Sequence, residues 1–198
     1  MDRDLDDLRA RLRQIEDEFE RTIEARRAAF HYRVARGRVV FEEAALAEHR
    51  RIKVGLVQFL RESSLGPALI APFIYLVIVP LGLLDLSVWL FQRVCFTVWG
   101  IAPVNRADYI AIDRHRLAYL NTLQKVNCLY CGYANGLIAH VREVAALTEQ
   151  FWCPIKHAVR VKGTHDRYRA FLDYGDAEDL GARLQAFRAE INAARNRP

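Results

Sequence analysis

A long apolar stretch in the middle of the chain constrains the fold more than any other feature. Between Ser63 and Val104 the only charged side chains are Asp85 and Arg93. A bilayer core about 30 Å thick accommodates roughly 20 helical residues. The stretch is therefore too long for one span and too short for two full spans joined by a turn. It is predicted to enter a membrane, and a buried hairpin in a soluble core is the alternative.

Helix-breaking residues interrupt this stretch near its centre. Pro80 and Gly82 stand there, followed by Asp85, whose charge is costly in the lipid core unless water or a partner reaches it. The pattern predicts a membrane-inserted helical hairpin with legs at Pro67–Val79 and Leu83–Trp99. Spanning and re-entrant forms of the hairpin remain open at this point.

The charges that flank the apolar stretch predict its orientation. Positive residues near membrane segments stay in the cytoplasm. A hairpin with basic residues on both sides places both termini in the cytoplasm, at the inner membrane, where thiols remain reduced. The basic residues are Arg50, Arg51, Lys53 and Arg61 before the stretch, and Arg106, Arg114 and Arg116 after it.

The N-terminal segment, residues 1–62, is rich in charge and is predicted to form a helical arm that breaks at Gly37. Its apolar residues recur at spacings of three and four, which is typical of an amphipathic helix or a short coiled coil. Self-association through this seam and packing on the chain's own helices are both compatible with the pattern. The seam consists of Leu5, Leu8, Leu12, Ile15 and Phe19. A second helical pattern runs from Val40 to Leu60.

The segment that follows the apolar stretch, residues 105–176, is predicted to be a small helical module. One helix is expected at Arg114–Val126 and a second at Leu137–Phe151. Between them, the letters "NCLYCGYANG" end in Asn-Gly, a pair typical of turns. The turn is expected to bring Cys128 and Cys131 together.

Three cysteines and a histidine in this module have the composition of a metal site. Cys128 and Cys131 have the Cys-x-x-Cys spacing, and Cys153 and His157 follow the second predicted helix. Three thiolates and one imidazole complete a tetrahedral zinc site, with His140 as the substitute fourth ligand. Cys95, inside the apolar stretch, is interpreted as a packing residue.

The identity of the metal remains open at the level of sequence. Zinc is the expected ion. The alternative is a redox or metal-handling protein in which the same thiolates hold an iron–sulfur cluster or another soft metal such as Cu(I). The letters "CLYC" also resemble the Cys-x-Tyr-Cys of glutaredoxin-type enzymes over four residues. Because zinc-protease, Ser–His–Asp and nucleotide-binding motifs are missing, a non-enzymatic role is favoured over a metalloenzyme that acts on a lipid or quinone.

A basic run follows the last cysteine. Beside a membrane, such charges are attracted to anionic headgroups. Nucleic acid could use the same charges, but no base-reading motif accompanies them, so lipid is the expected partner. The run contains Lys156, Arg160, Lys162, Arg167 and Arg169. A last helix is expected within residues 177–198, where Leu180, Leu184, Phe187 and Ile191 recur at helical spacing.

The letters "DYIAIDRHRLAYLN", "NCLYCGYANG" and "TEQFWCPIKHA" resemble a group of bacterial membrane proteins of unassigned function. The resemblance covers roughly residues 66–176 and implies no activity. Together with the residue patterns, it predicts an all-α protein composed of a charged arm (residues 1–62), an apolar hairpin (63–104), a metal-binding module (105–176) and a final helix (177–198). The predicted role is that of a docking or assembly module at the cytoplasmic membrane surface, with a protein partner or a second copy of the chain.

Overall fold

The structure is a computed structural model that describes residues 2–35 and 38–195. The fold is mostly helical, with 69% helix and 4% strand, and the coarse all-α prediction is confirmed. The helices are α1 (Asp2–Ala29), α2 (Glu43–Arg51), α3 (Leu56–Glu62), α4 (Leu65–Leu76), α5 (Ile78–Phe91), α6 (Thr97–Trp99), α7 (Thr122–Trp152) and α8 (Leu180–Arg195). A π-helical turn, Gln92–Phe96, joins α5 to α6. Single 3₁₀ turns occupy Arg106–Asp108, Arg114–Arg116 and Asp166–Ala170.

The chain divides into two compact units. The first unit contains the chain as far as Glu62 together with Asp113–Val126. The second contains Ser63–Ile112 together with the chain from Asn127 onwards. The first unit therefore draws on both sequence flanks of the apolar stretch.

A two-stranded antiparallel sheet in the first unit departs from the predicted helical arm. Strands β1 (Tyr32–Ala35) and β2 (Arg38–Phe41) pair in a register that sets Tyr32 opposite Phe41. Both strands are rich in β-branched and aromatic residues, which favour a pleated strand over a helix. The predicted break at Gly37 lies outside the described residues.

The apolar seam of α1 is described in part. The side chains of Ile15 and Phe19 are 62% and 66% exposed, so they do not pack within this chain. The surroundings of Leu5, Leu8 and Leu12 lie outside the described part. Elsewhere in this unit, the ring of His49 contacts both Phe41 and Tyr119 edge-on, with centroids 5.1 and 5.0 Å apart.

The apolar stretch forms one nearly continuous helical run instead of the predicted hairpin. Leu69–Trp99 is 31 residues long, and Val77, between α4 and α5, keeps a right-handed helical conformation. Pro80 does not turn the chain because it lies in the first turn of α5, where a proline is tolerated. The run ends at Gly100, whose φ of 75° is typical of a residue that terminates a helix.

Helix α7 corrects a second prediction, because it passes without a break through the segment expected to form a turn. The side-chain amide of Asn135 donates to the carbonyl of Cys131 at 3.0 Å, so it stays within the helix. Gly136 permits a close approach of another segment. A Cβ atom there would lie 2.6 Å from the Tyr109 carbonyl oxygen and 2.8 Å from the Ile110 Cα. The Asn-Gly pair therefore serves packing in the helix, and not a reversal of the chain.

The core of the second unit lies where the end of the apolar run meets α7 and α8. Its buried residues are Phe96, Ile101, Val144, Leu147 and Ile191. The ring of Trp99 stacks on Phe151 with centroids 5.5 Å apart. The predicted C-terminal helix is present as α8, and its Ile191 is 4% exposed.

Candidate functional site

The structure does not bring the four predicted metal ligands together. Cys128 and Cys131 lie within α7, and Cys153 directly follows its end. At about 1.5 Å of rise per residue, roughly 33 Å of helix separates Cys131 from Cys153. All four cysteines of the chain are free thiols. The described residues contain no group of three or more His, Cys, Asp or Glu side chains that could hold a metal ion.

The two histidines predicted as the fourth ligand have other surroundings. The phenol oxygen of Tyr168 accepts a hydrogen bond from the backbone N–H of His157 at 2.7 Å, and lies 3.3 Å from its ring Nδ1. His140 is 3% exposed, and its recorded polar contacts are with Gln92 and Val104 and not with a cysteine. The donor set therefore does not fit a Cys₃His zinc site or a thiolate-bound cluster within one chain. The continuous α7 is the physical reason.

A polar cluster on the apolar run is the more informative site. The guanidinium of Arg106 donates to both carboxylate oxygens of Asp85, from Nε at 3.1 Å and from Nη2 at 2.6 Å. The phenol of Tyr133, on α7, donates to the same carboxylate at 3.0 Å. Burial raises the pKa of Tyr133, and its hydrogen bond to Asp85 raises it further, so the phenol remains a donor at neutral pH. The charge of Asp85, on the apolar run, is thereby matched by that of Arg106.

Two turns further along the apolar run, where α5 passes into the π-helical turn, a second polar contact joins the run to α7 and to the segment after Gly100. Gln92 is 8% exposed, and its side-chain oxygen accepts from the backbone N–H of Val104 at 2.8 Å. Its amide nitrogen lies 3.4 Å from Nε2 of His140, which is also 3.3 Å from the Val104 carbonyl oxygen. Nδ1 of His140 is buried and has no hydrogen-bond partner among the described residues. His140 is thus a buried polar side chain that is only partly satisfied.

These contacts define how the elements are arranged. Asp85 meets Tyr133 and Gln92 meets His140, so α5 and α7 run side by side in the same direction. The segment after Gly100 returns between them, since Val104 contacts His140 and the Tyr109 carbonyl approaches Gly136. Asp85 and Gln92 consequently face protein, while other faces of the run are left uncovered.

A cavity of about 360 Å³ adjoins the cluster. Its polar lining comprises Asp85, Gln92, Arg93, Thr97, Arg106 and His140. Its apolar lining comprises Trp89, Phe96, Ile101, Pro103 and Val104. The π-helical turn supplies Gln92, Arg93 and Phe96, and such turns are frequent at functional sites. The size is within the range of small-ligand sites, which begins at about 300 Å³.

The predicted basic run divides into two groups. Arg167 is half-buried and donates to Glu143 at 2.8 Å and to Gln150 at 2.9 Å, while Lys156 pairs with Asp173 at 2.8 Å. These two cations hold the segment after α7 in place. Arg160, Lys162 and Arg169 are exposed and have no ion-pair partner among the described residues. They are the part of the run that is available to a partner.

The sequence contained one signal for the polar cluster. A carboxylate in an apolar stretch requires a partner. This rule singles out Asp85 in the sequence, but it does not identify Arg106 or Tyr133 as the partners. Those partners lie 21 and 48 positions away in the chain. No periodicity links residues at such separations, so only the tertiary structure identifies them.

Comparisons with known proteins identify no relative of this chain. No protein-family model, curated protein or solved structure matches the chain. The resemblance to a bacterial membrane-protein group therefore stays a prediction, and function has to be inferred from residues and geometry.

Proposed function

We propose that the chain is a membrane-associated docking module whose apolar run inserts into one leaflet and whose basic C-terminal segment faces the cytoplasm. The observation that carries this proposal is the exposure of the run. Leu69–Trp99 is long and apolar enough to cross a membrane, yet only 6% of its most apolar window is buried within the protein. Because apolar surface in water is unfavourable, a partner of matching polarity has to cover it.

Exposed apolar side chains occur around most of the run, Ile70, Val79, Leu86 and Trp89 among them, and one stripe of them recurs at helical spacing. Large contiguous apolar patches on soluble proteins mark interaction or membrane sites. None of the side chains in the stripe is charged or polar, which favours lipid over a protein groove with a polar rim. Its members are Leu69, Phe73, Leu76, Leu83, Leu90, Val94 and Val98, each more than half exposed.

Insertion from one side fits the chain better than a full crossing. The chain before Ser63 and the segment Asp113–Val126 after the run both belong to the first unit, where His49 contacts Tyr119. Flanks that pack together lie on the same side of a bilayer. The polar return segment beside α5, with the Arg106–Asp85 pair, also argues against surrounding the run with lipid. We therefore still propose that both ends of the run lie on the same side of the membrane, although the run is not a hairpin. The flanking basic residues favour the cytoplasmic side.

Exposed basic residues of the C-terminal segment are proposed to dock the chain on the anionic membrane surface. Arg160, Lys162 and Arg169 are unpaired among the described residues, and each basic residue near an anionic membrane contributes about 1 kcal/mol of attraction. The metal-stabilised version of the module, with zinc, an iron–sulfur cluster or another soft metal, is not part of this proposal because the predicted ligands lie apart along α7.

Membrane fractionation tests the proposal. The wild-type chain is expected to remain in the membrane pellet after a carbonate wash. The double variant Phe73→Asp, Leu83→Asp should move to the supernatant, because each charge placed in the lipid core is unfavourable by about 3 kcal/mol, or roughly a hundredfold in partition. Val159→Asp is the matched control, since Val159 is also exposed but lies outside the run.

The same preparation tests the sidedness. A label on the N-terminus and a thiol reagent on a variant whose only cysteine is Arg160→Cys should both react in inside-out vesicles and be protected in intact cells. Release of the wild-type protein by carbonate refutes membrane insertion. Labelling of the two sites from opposite faces refutes entry from one side.

A further inference from the structure

We propose that the cavity beside α5 binds the phosphate group of an anionic phospholipid. This inference rests on the proposed membrane association, and it adds a ligand class to the polar cluster. The cavity is lined by the guanidinium-bearing residues Arg93 and Arg106 and by His140, with apolar walls that include Trp89 and Ile101. Its volume of about 360 Å³ suits a headgroup and not a whole lipid, whose acyl chains would remain outside.

The charge balance of the lining selects an anion. Among the described residues, Asp85 is the only acidic side chain in the lining, and Arg106 already neutralises it through two hydrogen bonds. Arg93 then remains as a second cation with no side-chain partner among the described residues. A guanidinium in that position offers several N–H donors in a planar fork, which matches the oxygens of a phosphate.

The surroundings of Arg93 select a lipid over a free anion. Leu90 and Val94, which precede and follow it on the same helix, are both 54% exposed and belong to the stripe proposed to contact acyl chains. Trp89 lines the cavity and is 59% exposed, an amphipathic ring of the kind found at headgroup depth. A phosphate held at Arg93 would therefore have apolar surface beside it for its glycerol and chains.

The local backbone is shaped for such a site. The π-helical turn Gln92–Phe96 places Gln92 and Phe96 inward while Arg93, between them, is exposed at the cavity. The hydrogen bond from Val104 fixes the side chain of Gln92 on the inner wall of the cavity. The side chain of Arg93, at the opening, is not fixed in this way and can turn towards a ligand. His140 contributes a buried imidazole with an unpartnered Nδ1 to the same polar wall.

Titration of the purified full chain in neutral detergent tests the proposal. A short-chain phosphatidic acid is the probe, and its dissociation constant is measured by calorimetry. Arg93→Gln should weaken binding about tenfold or more, the loss expected for a hydrogen bond to a charged group. Arg93→Lys should weaken it less, because the charge is kept and only the fork is lost. Arg26→Gln is the matched control, because Arg26 is an exposed arginine of α1 that has no part in the proposed lipid contacts, and it should leave the affinity unchanged.

Three outcomes overturn the proposal. Equal losses in Arg93→Gln and Arg26→Gln indicate diffuse attraction and no site. Equal affinity for the uncharged diacylglycerol of the same chain length indicates an apolar groove only. Equal affinity for inorganic phosphate indicates a site for the free anion. Because the titration does not require membrane insertion, the variant Phe73→Asp, Leu83→Asp should still bind the probe, so failure of the membrane proposal and failure of the cavity proposal are separable.

Discussion

Arg106 and Asp85 form a two-pronged ion pair, with the guanidinium 3.1 Å and 2.6 Å from the two carboxylate oxygens. Asp85 belongs to the apolar run and Arg106 to the segment that returns along it. Tyr133 adds a third hydrogen bond from α7. One carboxylate thus ties three elements of the second unit together, and it determines which face of the run is turned towards protein.

Removing the charge of Asp85 tests this role. Asp85→Asn should lower the free energy of unfolding by about 1–3 kcal/mol, because it leaves the partly buried Arg106 guanidinium without its counter-ion. Denaturant titration in detergent measures the loss. Glu48→Gln, which breaks the exposed pair with Arg51, is the control and should have little effect. Equal effects of the two substitutions would contradict a structural role for the cluster.

Gly136 provides a test of the continuous α7 and of the segment packed on it. Gly136→Ala should be destabilising by about 1–3 kcal/mol, since the added methyl would meet the Tyr109 carbonyl and the Ile110 backbone. Gly181→Ala, also in a helix but with open space around it, should be neutral or slightly stabilising. Thermal unfolding followed by circular dichroism distinguishes them. Equal effects of the two substitutions would contradict the close approach of Tyr109 and Ile110 to α7 at Gly136.

The separation of the cysteines has a chemical consequence. Cys131 and Cys153 are both exposed, so both should react readily with a thiol reagent, and added zinc should not protect them. Labelling followed by mass spectrometry measures each site separately. Joint protection of Cys128, Cys131 and Cys153 by zinc, lost in His157→Ala, would instead restore the Cys₃His site and refute the continuous helix.

Arg167 holds the segment after α7 through Glu143 and Gln150. Arg167→Gln should raise hydrogen exchange in residues 155–172, because it removes two of the polar contacts that join the segment to α7 and leaves the buried Gln150 without one of its partners. The contacts His165–Glu149 at 2.9 Å and Arg142 to the Gly163 carbonyl at 2.8 Å remain, so the increase should be partial. Arg169→Gln, a neighbouring exposed cation, should leave exchange unchanged. If both variants exchange alike, Arg167 belongs to the exposed basic surface and not to the packing.

Several features follow from local sequence because their causes are local. The helical periodicity of Leu180, Leu184, Phe187 and Ile191 predicted α8, which the structure confirms. The near absence of charge after Ser63 marked the apolar run, although not its shape. The strands β1 and β2 were missed because each has four residues, too few for a period-two pattern to outweigh the helical patterns on either side.

By itself, the sequence determined that the chain is mainly helical, that its centre is apolar, and that Asp85 needs a partner there. Tertiary structure alone decided that Pro80 leaves a helix intact, that Asn135 and Gly136 lie within α7, and that Arg106 forms the ion pair with Asp85. The reason is physical. Proline occurs both in the first turn of a helix and in chain reversals, and glycine occurs both in turns and where a helix is crossed closely by another segment. The sequence is the same in each case, and only the residues that surround the proline or glycine in space distinguish a helix from a turn.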